Sequence, residues 1–169
     1  MRLFYIVCLF CVTFVEIAKT QVSFTSSNLP VIVINTNGVP IQDEPKIMAT
    51  MKIINNGTGN RNNINDTPTD YDGFIGIEFR GASSQSFPKK GYGLETRNED
   101  GSNRNVSIMG MPSENDWVLH GPFSDKSLIR NALAYKLARP IMPYTTRTAF
   151  CEVLINNEYQ GVYLFIEKM

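Results

Sequence analysis

Apolar residues in this chain fall into short β-branched runs divided by polar turns, and one stretch alone carries a helical spacing. Leu29-Pro30-Val31-Ile32-Val33-Ile34-Asn35-Thr36 is the first run, closed by Asn37-Gly38, two residues that tolerate the positive φ values of a tight turn. A second strand is predicted over 46–54. From 55 to 70 the chain is Asn, Gly, Thr and Asp with almost no apolar side chain, which reads as a solvated loop. Strands resume over 73–80 and, after Gly81-Ala82-Ser83-Ser84, over 89–96, with Pro88 suited to a strand's start because it lacks an amide hydrogen. Leu128, Ile129, Ala132, Leu133, Lys136 and Leu137 share one helical face, with Ser124 or Asp125 as the cap and Pro140 as the stop. The spacing predicts a helix over 125–139. Two strands close the chain, over 148–155 and 162–167, around a turn at Asn156-Asn157-Glu158-Tyr159-Gln160-Gly161. The order strands, helix, strands gives an α+β fold, a mostly antiparallel sheet with one main helix.

The first twenty residues follow a different rule. Arg2 precedes an apolar run from Leu3 to Val15, long enough for the hydrophobic part of an export signal and too short to span a bilayer. Residues 1–20 are read as a signal peptide cut after Thr20, leaving 21–169 as one domain that does not span the membrane. The expected destination is secreted, periplasmic or cell-surface. With 169 residues, 43% of them hydrophobic, the chain holds the core of a single domain. Its 16 basic and 16 acidic residues cancel, so no surplus charge attracts a polyanion and no nucleic-acid partner is expected. Cleavage leaves Cys151 alone, which excludes an internal disulfide, and its setting in Phe150-Cys151-Glu152-Val153 reads as a buried thiol. His120 is the only histidine, which argues against a multi-histidine zinc site or a Ser-His-Asp triad. It reads as a loop residue after Trp117-Val118-Leu119. Three triplets, beginning at Asn56, Asn65 and Asn105, fit the N-glycosylation pattern and are taken as marks of surface exposure.

Two clusters combine cations with backbone that a ligand can approach. In Arg80-Gly81-Ala82-Ser83-Ser84-Gln85-Ser86-Phe87-Pro88-Lys89-Lys90, a turn of small and hydroxyl residues precedes two lysines. Such a turn can aim amide hydrogens at a phosphate while a lysine supplies point charge. It lacks the Gly-Lys-Ser/Thr ending of a P-loop and leads into a strand, and a plain hairpin with solvated lysines has the same composition. The second cluster is Asp125-Lys126-Ser127-Leu128-Ile129-Arg130-Asn131. A helix start there attracts an anion unless Asp125 fills the position itself, and Arg130 and Asn131 border the apolar face.

Five blocks in order resemble the CotH kinase family. They are Leu29 to Thr36 with Pro40-Ile41-Gln42-Asp43-Glu44-Pro45; Phe79-Arg80-Gly81-Ala82-Ser83-Ser84 with Phe87-Pro88-Lys89-Lys90-Gly91-Tyr92; and Met111-Pro112-Ser113-Glu114-Asn115-Asp116-Trp117-Val118-Leu119. Asp125 to Asn131 with Leu133-Ala134-Tyr135, and Ile155 to Leu164 with Glu167-Lys168, complete the set. The resemblance implies an atypical protein-kinase-like fold, with this chain as its N-terminal lobe, that binds ATP with Mg²⁺ and phosphorylates a protein substrate outside the cytoplasm. Under it, Lys89 or Lys90 holds the ATP phosphates. Strand parity sets Lys90 with Tyr92 and Leu94, and Lys89 with Glu95, and Lys90 is favoured. Ser83 and Ser84 lie on the adjoining turn, Arg80 and Arg130 are further phosphate-side cations, and the segment ending at Glu167 approaches the adenine as a hinge. The expected helix contains no Glu to pair with the lysine, which leaves Glu78 or Glu95 as substitutes. The family's metal-binding and catalytic carboxylates lie beyond the last block found here. The domain over 21–169 is therefore expected to be incomplete, lacking a C-terminal lobe and inactive alone, with ATP and Mg²⁺ belonging to the complete domain. The competing reading is a non-catalytic surface or adhesion module that binds protein or glycan through the Asn-rich loop, with Tyr71 and Phe74 beside it.

Overall fold

The computed structural model describes residues 23–168, so the expected signal peptide at 1–20 lies outside the described residues. Among the described residues no helix is long and apolar enough to cross a membrane. Two short strands, β1 (Ser26–Ser27) and β4 (Asn62–Asn63), pair with each other. Seven more form a closed barrel: β2 (Val31–Asn35), β3 (Ile47–Ile54), β5 (Tyr71–Arg80), β6 (Gly91–Arg97), β7 (Asp116–His120), β8 (Thr148–Ile155) and β9 (Glu158–Glu167). The order around the barrel is β2-β3-β5-β6-β7-β9-β8, and every neighbouring pair is antiparallel except β2 with β8, whose parallel register Val31↔Glu152 to Ile34↔Ile155 closes the ring.

Strand alternation fills the barrel. Ile32 and Ile34, Met51 and Ile53, Ile75 and Ile77, Leu94, Trp117 and Leu119, Cys151 and Val153, and Phe165 all belong to one fully buried interior cluster. Their neighbours in sequence point outward into two smaller patches. Val31, Ile54 and Leu154 make one, against Phe24 and Tyr159; Val118, Leu164 and Ile166 make the other. The first patch is tied down by Glu152, a buried carboxylate that accepts hydrogen bonds from Ser27 Oγ (3.0 Å) and Tyr159 Oη (2.7 Å).

The expectation of an α+β fold with one main helix, resembling the N-terminal lobe of a protein kinase, is corrected by this arrangement. The described residues are mostly strand, closed into a barrel, and the helix is a short external element, α1 (Arg130–Ala138). A barrel closed on itself fills its interior with its own side chains and leaves no sheet face for a helix to cover. Leu128 adopts φ +62°, which stops the helix from starting at Asp125. The apolar residues of α1 that pack on the barrel are Ala132 and Tyr135, against the Val118–Leu164–Ile166 patch. The apolar stripe of the expected helix instead faces outward, with Ile129, Leu133 and Leu137 50%, 47% and 62% exposed.

Candidate functional site

One rim of the barrel collects the cations. β5 ends at Arg80 paired with Gly91, the first residue of β6, and β7 ends at His120 paired with Leu164. Beyond His120 the chain crosses the rim and enters α1, bringing the Asn131 amide nitrogen to 3.2 Å from His120 Nε2. These segments enclose a cavity of about 330 Å³ whose walls include Arg80, Ser84, Phe87, Gly121, Asp125, Arg130 and Asn131. A second, of about 220 Å³, shares Arg80, Val118, His120 and Asn131 with it and adds Glu167 and Lys168. The two are halves of one cleft, divided at Arg80 and His120.

Charge in the cleft is only partly compensated. Arg80 is exposed, and its guanidinium makes no hydrogen bond or ion pair among the described residues. Arg130, also exposed, has Nε 3.5 Å from Asp125 Oδ1. The N-cap of α1 is Ile129, not Ser124 or Asp125, but the Asp125 carboxylate reaches the helix start: Oδ2 accepts the Arg130 amide (2.9 Å), and Oδ1 accepts the Ser127 hydroxyl (2.6 Å) and amide (3.1 Å). The Ser127 hydroxyl, then the Arg130 amide, hold its carboxyl below the ordinary value. The helix start is thus taken by Asp125, and the positive charge left for a ligand comes from the two guanidinium groups.

The turn after β5 is a single 3₁₀ turn, Ser83–Ser86. Gly81 has φ +101°, a conformation strained for any residue with a side chain, and an added Cβ would also force the Ser84 hydroxyl to rotate away. Ser84 lines the cleft; Ser83 does not, its carbonyl accepting the Ser86 hydroxyl. Both lysines precede the first residue of β6, so strand alternation does not govern them. Lys89 lies across the ring of Tyr163, 4.2 Å from its centroid, and donates to the Gln160 carbonyl at 2.9 Å. Burial pushes its ammonium below the ordinary value. Lys90 donates to the Gln85 carbonyl and so braces the turn that carries Ser84. Neither lysine lines the cleft. Glu167 is buried, lines the smaller cavity, and accepts the Arg147 amide at 3.3 Å.

Of the residues singled out in the sequence, the cleft brings together Arg80, Ser84, Arg130 and Glu167, and leaves Ser83, Lys89 and Lys90 outside it. Glu78 and Glu95 lie on the barrel's outer face with Lys46 (3.3 and 4.0 Å), and Glu95 also pairs with Arg97. Tyr71, expected beside the Asn-rich loop, is a core residue that donates its hydroxyl to the Phe74 carbonyl, so its ring is not open to stacking on a sugar. Of the three glycosylation triplets, Asn65 and Asn105 are exposed, whereas the Asn56 amide is held by the Arg61 carbonyl and Asp66. Cys151 is fully buried, and burial pushes its thiol up. Among the described residues no group of three or more His, Cys, Asp or Glu side chains is placed to hold a metal ion.

His120 is the wall residue that sequence reasoning missed. It is half-buried at the end of β7, and burial, followed by the positive charge of Arg80, pushes its imidazole below the ordinary value, with Asp125 pulling the other way. The available signal was its place as the polar end of a short apolar run, Trp117-Val118-Leu119-His120, just before Gly121-Pro122.

The family model described as CotH kinase protein matches residues 77–169, a span that contains every residue of the cleft. No curated protein matches the chain significantly.

Proposed function

The chain belongs to the CotH kinase family, and from that premise we propose that the rim cleft binds the phosphates of ATP in an exported, kinase-like domain acting on protein. One observation carries the reading: Arg80 presents an unpartnered guanidinium to a cavity that also holds Arg130 and Ser84. Planar guanidinium donors in a partly enclosed site recognise phosphate oxygens with charge-assisted hydrogen bonds. The donor set fits a polyphosphate. It does not fit a divalent cation, because Asp125 is engaged by Ser127 and Arg130 and Glu167 by Arg147. Mg²⁺ therefore enters with the nucleotide in this proposal, and this chain supplies the phosphate grip.

The test is nucleotide binding to the chain itself. ATP is expected to raise the melting temperature, and Arg80→Ala to weaken binding by about tenfold or more, the loss of one charge-assisted contact. Lys90→Ala, which frees the turn bearing Ser84, is expected to weaken it less. Calorimetric titration reads both. A wild-type chain that ignores ATP, or an Arg80→Ala variant that binds it unchanged, overturns the proposal.

A further inference from the structure

The residue that divides the cleft is a second feature of its chemistry. His120 faces charge from every element around it: Arg80 on β5, Asp125 and Arg130 at the head of α1, and Glu167 and Lys168 at the end of β9. The amide nitrogen of Asn131 points at Nε2, an arrangement in which Nε2 accepts and the ring hydrogen sits on Nδ1. In the free protein burial, and then the unpartnered guanidinium of Arg80, disfavour the charged ring. An oxyanion seated on Arg80 reverses that balance, since its negative charge falls beside the imidazole and offsets the repulsion.

Building on the phosphate-binding reading, we propose that His120 is a third phosphate contact of this cleft and takes up a proton as the phosphate settles against Arg80. Nε2 receives the proton from solvent and donates the new N–H to a phosphate oxygen, while the Asn131 amide, whose N–H Nε2 no longer accepts, turns aside. No covalent bond changes. The cleft thus has two guanidinium groups of fixed charge and one cation that exists only in the bound state. Its grip tightens as the pH falls through the histidine's range. The sign follows from linkage: a ligand that favours the protonated ring binds more tightly when protons are plentiful, by about tenfold for each unit that it raises the midpoint.

His120 is the only histidine of the chain, so its titration can be followed in the intact protein without any substitution. With ¹⁵N-labelled imidazole, the NMR titration midpoint is expected to rise by about one unit when ATP is saturating. Calorimetry of wild type and His120→Gln gives an independent reading. The ratio of their ATP dissociation constants is expected to grow several-fold between about pH 8 and about pH 5.5, while titration of ATP itself cancels in the ratio. An unchanged midpoint in the ATP-bound wild type overturns the proposal and leaves the phosphate cleft standing. So does a ratio that stays constant with pH. Absence of ATP binding to the wild type at both pH values overturns this proposal together with the reading on which it rests.

Discussion

Trp117→Ala is expected to lower the unfolding free energy by about 3–5 kcal/mol, the cost of an aromatic side chain lost from a packed interior. Trp117 is fully buried, stacks on Phe165 with ring centroids 5.1 Å apart, and is paired across the sheet with Leu94 on one side and Glu167 on the other. Removing the indole empties the barrel at the strands that end in His120 and Glu167, so the cleft loosens along with the core. Trp117→Phe keeps most of the volume. Among the described residues the indole N–H has no acceptor, so this swap gives up no hydrogen bond there and is expected to cost less than about 1.5 kcal/mol. Leu133→Ala on α1 supplies the contrast. Its side chain faces outward, and the substitution is expected to stay within about 0.5 kcal/mol. Denaturant unfolding of the three variants measures the series. A Leu133→Ala penalty matching that of Trp117→Ala would place the helix on the core and refute the barrel.

Legibility in the sequence tracked how local each contact is. β2, β3, β5, β6, β8 and β9 are legible as short runs bounded by turns, because period-two alternation is written in consecutive residues, although β9 starts at Glu158, inside the expected turn. β7 is not: Asp116-Trp117-Val118-Leu119-His120 is a short continuous apolar run with polar ends, and both faces of it are buried, so no alternation marks it. Closure of the barrel depends on β2 lying parallel to β8 from the far end of the chain, a pairing with no local signature. That closure is also why the helix was misread. The stripe Leu128-Ile129-Leu133-Leu137 has the right spacing to cover a sheet, but the sheet curls away and its apolar contact with the helix is through Ala132 and Tyr135. In the cleft, the cations of the Arg80 and Arg130 blocks could be named from the sequence, while the wall formed by His120 and Asn131 required two segments to meet at the rim. The lysines differ for a further reason. Their ammonium groups bond to carbonyls of Gln160 and Gln85, and backbone acceptors of this kind leave no trace in residue type.

Gly121→Ala is expected to cost about 1–3 kcal/mol and to abolish measurable ATP binding, a larger functional effect than loss of any one side chain in the cleft. A Cβ at Gly121 would stand 2.5 Å from the Lys90 carbonyl oxygen, 3.0 Å from Tyr163 Cε1 and 3.1 Å from Lys89 Cγ. The nearest of these is backbone and cannot swing aside, so either the Lys89-Lys90 segment or the His120-Gly121-Pro122 segment must move. Both directions damage the cleft, because the first segment braces the turn that carries Ser84 and the second carries His120. Gly91→Ala is the matched control. Gly91 lines the same cavity, yet its added Cβ would meet only the Arg80 and Leu119 carbonyl oxygens at 3.6 Å, an ordinary contact distance. Gly91→Ala is therefore expected to melt within a few degrees of wild type and to retain ATP binding. Thermal melts and titration calorimetry on the two variants separate close backbone packing at the rim from a general intolerance of bulk in the cavity. Equal behaviour of the two alanine variants would refute the claim that contact between Gly121 and the Lys90 carbonyl sets the shape of the phosphate cleft.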